Sequence, residues 1–417
     1  MKICRNCLYH SAHPLNISFD LEGVCSGCRV HEEKNMLDWR DRTENLRRIC
    51  DEYRSRTGKS YDCIVPVSGG RDSYFIVHMV KNVFGMNPLL VTYNKHYNTA
   101  VGVRNLANLR IQFDADLITM TVHPEKVKRI TRGTLRRLGS VYWHCIAGQT
   151  VFPVQMAVRL KIPLIIWGAH QGVDQVGMFS HLDEVEMTRR YRHEHDLMGY
   201  EAEDLVDEFD GISYLDVEPF IYPDNRELDL VGVRGVYMNN FVRWDSKTQH
   251  EEMIRRFGYE TASQSRTYDC YNDVDCWLYS DLHDFLKWLK HGYGKVVDHA
   301  VREIRLGHMS RQMGARLVMR YLGVMPRGLE KFLAWIGMTK NAFGFVTDQI
   351  RNPLFWERNS EWEWRETGLL VRQYESIAQS TTSVESELRG AGFRLSGVND
   401  STDDDEAFIL VGRGFGS

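Results

Sequence analysis

The stretch Pro66-Val67-Ser68-Gly69-Gly70-Arg71-Asp72-Ser73 constrains the fold more than any other part of the chain. It follows the apolar run Cys63-Ile64-Val65 and precedes the apolar-periodic segment 74–84, which reads as strand, tight loop, helix. Two adjacent glycines let the backbone turn sharply and bring successive N–H groups against an anion. Ser68 and Ser73 add hydroxyl donors at the positive end of the following helix. An ordinary Gly-Gly turn is the plainer reading, but strand and helix signals on the correct sides favour a polyphosphate ligand. No G-x-x-x-x-G-K-[ST] run is present, so the γ-phosphate chemistry of that motif is not indicated.

Beyond the loop the chain alternates strands and helices. Candidate strands are 63–67, 88–93, 116–122 and 163–167, with helical character at 99–112, 125–138 and 149–160. Such alternation predicts an α/β fold: a doubly wound parallel sheet with helices on both faces and ligands beyond the carboxyl ends of its strands. The strand ends can then be grouped into one crevice. The first carries the phosphate loop, and the second carries Thr92-Tyr93-Asn94. The fourth carries Gly168, which would let a nucleotide approach the backbone, with His170 and Asp174 as candidates to handle phosphate, metal or a proton. His170 alone also reads as a structural histidine.

At 417 residues, 43% of them hydrophobic, more than one domain is expected. The divisions read from the sequence are a cysteine-bearing segment plus helix (1–60), the α/β domain (61–300), a helical region (301–355) and a small accessory unit (356–417). The balance of 52 basic against 56 acidic residues gives no global nucleic-acid footprint. The N-terminus lacks the apolar core of a signal peptide and no apolar run is long enough to span a membrane, so a cytoplasmic protein is expected.

Nine cysteines in such a chain are better read as thiols and metal ligands than as disulfides. Cys4-x-x-Cys7 and Cys25-x-x-Cys28, 17 residues apart, have the spacing of two knuckles closing on one structural Zn²⁺; an iron–sulfur cluster is the main competitor. Cys50 and Cys63 read as core thiols. Cys145 sits beside Trp143 and His144 in an aromatic, polar segment. That segment offers a reactive thiol or a substrate contact, against ordinary core packing. Basic clusters at Lys126 to Arg137 and Arg189 to His193 read mainly as solvated surface, with an anionic substrate or a tRNA patch as sharper alternatives. Glycines 292 and 294 break a helix beside Lys287, Lys290, His291 and Lys295, a candidate anion-binding turn; Asp298 reads as the N-cap of a helix beginning at His299.

The S-G-G-x-D-S loop resembles that of the PP-loop ATP pyrophosphatases, which split ATP between its α and β phosphates to adenylate a substrate oxygen. The resemblance implies that Ser68, Gly69, Gly70 and Ser73 hold the departing pyrophosphate, that Arg71 neutralises it, and that Asp72 helps place Mg²⁺. It also implies that adenine is read near Tyr93 through backbone groups. Three motifs in order narrow the likeness: F-D-x-x-G-V-C-x-x-C, then S-G-G-R-D-S, then K-x-x-K-x-G-x-G-[RK]-x-x-D-x-A-x-x-E-I-R. From Cys4 to about Pro353 the chain resembles the N-acetyl sugar amidotransferases, related to proteins that build acetamidino sugars for lipopolysaccharide O-antigens and pseudaminic- or legionaminic-type acids. Lys295, where arginine is common, and Gly168-Ala169-His170 depart from that pattern.

This resemblance implies adenylation of an N-acetyl amide oxygen on a sugar, displacement of AMP by ammonia, and ammonia supplied by a separate glutaminase subunit. Lys295 and Asp298 carry over as catalytic candidates and Lys287 and Lys290 as substrate contacts, with Glu303 and Arg305 beside them. The alternatives are a tRNA thiolase, which would use Cys145 and the basic helix, and a non-catalytic nucleotide-binding scaffold. In the tail, Trp356, Trp362 and Trp364 suggest packing against the main body, 383–389 a short helix, 401–406 a polar turn and 408–411 a terminal strand.

Overall fold

Residues Cys63–Pro66 have apolar side chains on both faces. In the computed structural model of the protein the strand they form, β1, lies at the centre of a five-stranded sheet. The structure describes residues 1–15, 17–209, 211–379, 383–390, 392 and 408–410. The remaining strands of the sheet are β2 (Pro88–Tyr93), β3 (Leu117–Met120), β4 (Leu164–Trp167) and β5 (Arg234–Tyr237). Their order is β3-β2-β1-β4-β5 and every pairing is parallel, with Val65 opposite Leu90, Ile64 opposite Ile165 and Ile166 opposite Val236. The order reverses between β1 and β4, so a crevice opens beside β1 at the carboxyl ends of the strands.

Both faces are covered, as a parallel sheet requires. Cys63, Val65, Leu90, Leu164 and Ile166 join Tyr74, Phe75, Leu109 and Met253 from helices Arg71–Val77, Ala100–Gln112 and Ser246–Phe257. The alternate residues Ile64, Leu89, Val91 and Ile165 turn to Val151, Val154 and Ala157 of helix Trp143–Leu160 on the opposite face. The doubly wound α/β arrangement expected from the alternation is therefore present. β5 was not anticipated: it is short, begins with Arg234, and its Gly235 lies so close to Met187 that a Cβ would sit 2.7 Å from that side chain. Helix Trp143–Leu160 also starts six residues earlier than its sequence pattern suggests, because the bulky residues at its start are core.

A second core unites the two ends of the chain. Cys4, Cys7, Cys25 and Cys28 pack with Leu289, Val297, Ala300, Leu317 and Tyr374, residues of helices Trp277–His291, Lys295–Arg305, Arg311–Tyr321 and Leu369–Ile377. In the tail, Trp356 is buried edge-on against Trp288, whereas Trp362 is exposed. Phe408–Leu410 pairs antiparallel with Tyr97–Thr99. The polar turn expected at 401–406 lies outside the described residues. No described helix is long and apolar enough to cross a membrane.

Burial leaves a pH signature. His10, His170, His181, His250 and His299 are all pushed down to about 4 by desolvation, against an ordinary value of 6.5. Their contribution is complete above the unfolded value and is lost as pH falls from 6.5 towards 4, because the unfolded chain takes up protons that the folded chain refuses. Urea midpoints should therefore drop steeply between neutral pH and about pH 5. A flat profile over that range would contradict neutral burial of these rings.

Candidate active site at the phosphate loop

The loop leaves β1 with Val67 donating its N–H to the Val91 carbonyl at 2.9 Å. Ser68 N–H donates to Ser73 Oγ (3.0 Å) and Gly70 N–H to Ser68 Oγ (3.2 Å), so both hydroxyls shape the loop and keep their own O–H to donate. Gly69 has φ +80°, and a Cβ there would meet the Gly102 carbonyl oxygen at 2.8 Å. Only glycine fits on both counts. Gly70 then caps helix Arg71–Val77, whose N-terminus faces the loop. We expect Gly69→Ala to destabilise the fold by at least about 1–2 kcal/mol, the cost of left-handed backbone at a residue with a Cβ. Urea midpoints check this, with Gly58→Ala, which meets nothing within 4 Å, as a control for positive φ without contact.

Asp72 stands with Arg71 Nε at 3.1 Å and His250 Nε2 at 3.7 Å. Burial works to raise the Asp72 carboxyl, but the Arg71 guanidinium and His250 outweigh it and hold the group below the usual carboxylate range. Behind them Asp269 accepts from Arg302 (2.6 Å) and from the N–H groups of Tyr271 and Asn272. His250, Asp269 and Arg302 were not anticipated as part of this site; they come from segments far along the chain with no local motif.

A cleft of roughly 230 Å³ opens beside the loop. Ser68 borders it at the loop, Thr92 to Lys95 leave β2 along its side, and Val103, Leu117 and Leu106, whose Cβ lies 3.1 Å from the position of a Cβ on Gly69, supply an apolar wall. Tyr93 lines this cleft, and its hydroxyl turns to His144 Nδ1 at 2.9 Å. Lys95 and Asp275 line the cleft as a buried ion pair at 2.9 Å. Neither was anticipated.

The other candidates fall elsewhere. Gly168 serves packing rather than ligand approach, since a Cβ there would lie 2.9 Å from Ile76 Cδ1. His170 is boxed by the rings of Tyr191, Tyr237 and Phe179, in keeping with a structural histidine. Asp174 pairs with Lys34 at 2.6 Å and ties the loop after β4 to the N-terminal segment. Trp143 and His144 are fully buried, Trp143 donating to the Tyr200 carbonyl. Lys287 meets Asp298 Oδ2 at 3.2 Å while the Tyr9 hydroxyl donates to Asp298 Oδ1 at 2.8 Å; these contacts join the cysteine segment to the helices. Lys290 donates to the Leu138 carbonyl, and burial, with Lys287 nearby, lowers it to about 8.

Lys295 Nζ donates to Gln264 Oε1 (2.8 Å) and to Asp281. Asp298 is not an N-cap: the helix begins at Lys295 with Gly294 as its cap. The expected anion-binding turn is filled by the chain itself. Asp284 accepts from the Lys295 N–H, lies against Gly294, and is paired with the fully buried Arg266 at 2.8 Å.

The four knuckle cysteines are buried with their sulfurs within 4.8 Å of one another. Cys4 and Cys28 Sγ lie 3.9 Å apart, and Cys7 and Cys25 Sγ 3.6 Å. A tetrahedron of thiolates with Zn–S about 2.3 Å has edges of about 3.8 Å, so the set fits one ion. A cluster of several irons and sulfides would hold its cysteines further apart. Cys25 N–H and Arg305 point at Cys4 and Cys25 Sγ, at 3.3 and 3.5 Å, and would stabilise thiolate charge. Sulfurs this close share protons: Cys28 pulls Cys25 down to about 7, whereas burial pushes Cys7 up.

Residues 251–368 match the family model of the C-terminal domain of WbpG-like lipopolysaccharide (LPS) biosynthesis proteins. That stretch contains helices Trp277–His291 and Lys295–Arg305 and the loop bearing Asp269 and Asp275. The chain is also 25% identical over 120 residues to the uncharacterized protein MJ1599 of Methanocaldococcus jannaschii. That match covers 28% of this chain and 42% of the relative's length.

Proposed function

We propose that the protein is an ATP-dependent amidotransferase of the PP-loop type that acts on an N-acetylated sugar in lipopolysaccharide biosynthesis. The observation that carries this reading is the loop itself: a glycine locked in left-handed backbone at the end of β1, leading into a helix N-terminus and opening on the β2 cleft. The likeness of residues 251–368 to WbpG-like LPS biosynthesis proteins supports the sugar pathway.

In the proposed reaction the amide oxygen of an N-acetyl group takes AMP from ATP as pyrophosphate leaves, and ammonia then displaces AMP to leave an acetamidino group. The loop N–H groups, with Ser68 and Ser73, would hold the pyrophosphate end. Arg71 would balance its charge, Asp72 would help hold Mg²⁺, and the apolar wall would take adenine. Mg²⁺ would supply neutralisation of phosphate charge. The four cysteines would hold Zn²⁺ in a structural site with no open position.

Ammonia would come from a separate glutaminase subunit. Cys145 does lie 3.5 Å from His144 Nε2, but burial pushes the thiol well up and the imidazole well down, leaving a neutral, inert pair. The same burial disfavours a tRNA thiolase, which needs an accessible thiolate. The basic helix is also engaged: Arg129 pairs with Asp216 and Arg132 donates to the Ile336 carbonyl.

Mass spectrometry of N-acetylated nucleotide sugars incubated with the protein, ATP, Mg²⁺ and ammonium tests the reading. The expected product carries NH in place of oxygen and appears with AMP. Sulfur incorporation into tRNA without any change in the sugars would sink it.

A further inference from the structure

Lys95 directly follows the three cleft residues at the end of β2 and is 5% exposed. The backbone that presents it is unusual. His96, the next residue, has φ +71°, uncommon for a residue with a side chain, and is held there by Asn94 Oδ1 accepting its N–H at 2.9 Å. Among the described residues the Lys95 ammonium has one hydrogen-bond acceptor, Asp275 Oδ2. Asp275 in turn abuts the phosphate loop, its other carboxylate oxygen lying 3.5 Å from the position of a Cβ on Gly70.

A buried ion pair contributes little net stability compared with apolar residues of the same volume, so stability does not account for this one. Its surroundings leave the positive charge intact. Burial alone would lower Lys95, but Asp275 more than restores it, while the neighbouring Cys145 and Cys276 thiols are pushed up by burial and stay neutral. A permanent ammonium with unused N–H donors thus lies between the loop and the cleft.

We propose that Lys95 contacts the phosphate chain of the bound nucleotide, with Asp275 as the counter-ion that its ammonium exchanges for phosphate when the nucleotide arrives. This rests on the nucleotide reading above. A phosphate oxygen would replace the Asp275 carboxylate as acceptor of the Lys95 ammonium.

Calorimetric titration with ATP and with adenosine, which lacks phosphates, isolates this contact. Lys95→Met, close in volume, should lose about tenfold to hundredfold in ATP affinity while adenosine binds as before. Lys95→Arg should recover most of the loss. Asp275→Asn should bind ATP at least as tightly as the native protein, because the competing carboxylate is gone. Equal losses for ATP and adenosine in Lys95→Met, or no loss for ATP, would overturn the proposal. So would an Asp275→Asn variant that melts like the native protein yet loses as much ATP affinity as Lys95→Met. A native protein that binds neither ligand overturns the nucleotide reading itself. One that binds ATP yet converts no acetamido sugar overturns only the reaction, and the ATP-to-adenosine comparison still decides the role of Lys95.

Discussion

Replacing Cys25 with serine is expected to abolish metal binding by the four-cysteine set and to unfold the N-terminal segment together with the helices it packs on. The four sulfurs are not a peripheral clasp, because Cys4, Cys7, Cys25 and Cys28 lie in one core with Leu289, Val297, Leu317 and Tyr374. Cys25 also receives Arg305, whose guanidinium is buried against Tyr9, and Arg311 donates to the Cys7 and Cys4 carbonyls at 2.9 and 2.8 Å. Loss of the Cys25 sulfur would remove one of the anionic partners facing Arg305 and leave any ion held there with an incomplete shell. Structural zinc in small sites contributes about 10 kcal/mol or more of apparent binding energy, comparable to the whole stability of a domain. Elemental analysis should fall from one metal ion per native chain to none, with early tryptic cleavage within residues 1–35. Cys50→Ser, a buried thiol outside the set, should keep the metal. A metal-free native protein with the same melting curve would contradict this account.

How much of this was legible in the sequence follows the range of the interactions involved. The loop, the knuckles and four of the five sheet strands carry local signals: paired glycines, Cys-x-x-Cys spacing and apolar runs. β5 does not, because a short strand led by Arg234 takes its identity from its partner β4. The Lys287 to Arg305 block shows a different limit. Its glycines do break the helix where expected, with Gly292 at φ +69°, yet the anion waiting there is Asp284 from the preceding helix, not a ligand. A basic turn looks the same in sequence whether its counter-charge is internal or bound. His250, Asp269, Lys95 and Asp275 were missed for the converse reason. Each is an ordinary polar residue until the fold brings segments some 180 positions apart to one cleft, as it does for Lys95 and Asp275.

Asp72→Ala is expected to slow the proposed reaction severely while leaving the fold in place. Asp72 lies in the first turn of helix Arg71–Val77 and its side chain remains partly accessible, 38% exposed, so its removal opens no large cavity. What it does remove is the carboxylate beside Arg71 and His250, at the mouth of the anion loop. If Asp72 places the ion that neutralises phosphate charge, rates of AMP and pyrophosphate formation should fall by about a hundredfold to a thousandfold, the usual cost of losing one preorganised electrostatic group. Nucleotide affinity measured without Mg²⁺ should hold or improve, because a negative charge near the phosphates has gone. The Mg²⁺ concentration for half-maximal activity in Asp72→Asn should rise, since the amide keeps the shape and loses the charge. Were Asp72 merely the partner that orients Arg71, Asp72→Asn would restore activity with an unchanged Mg²⁺ dependence. Pyrophosphate release from Asp72→Ala at the native rate, with sugar and ammonia present, would remove the enzymatic reading of the loop altogether.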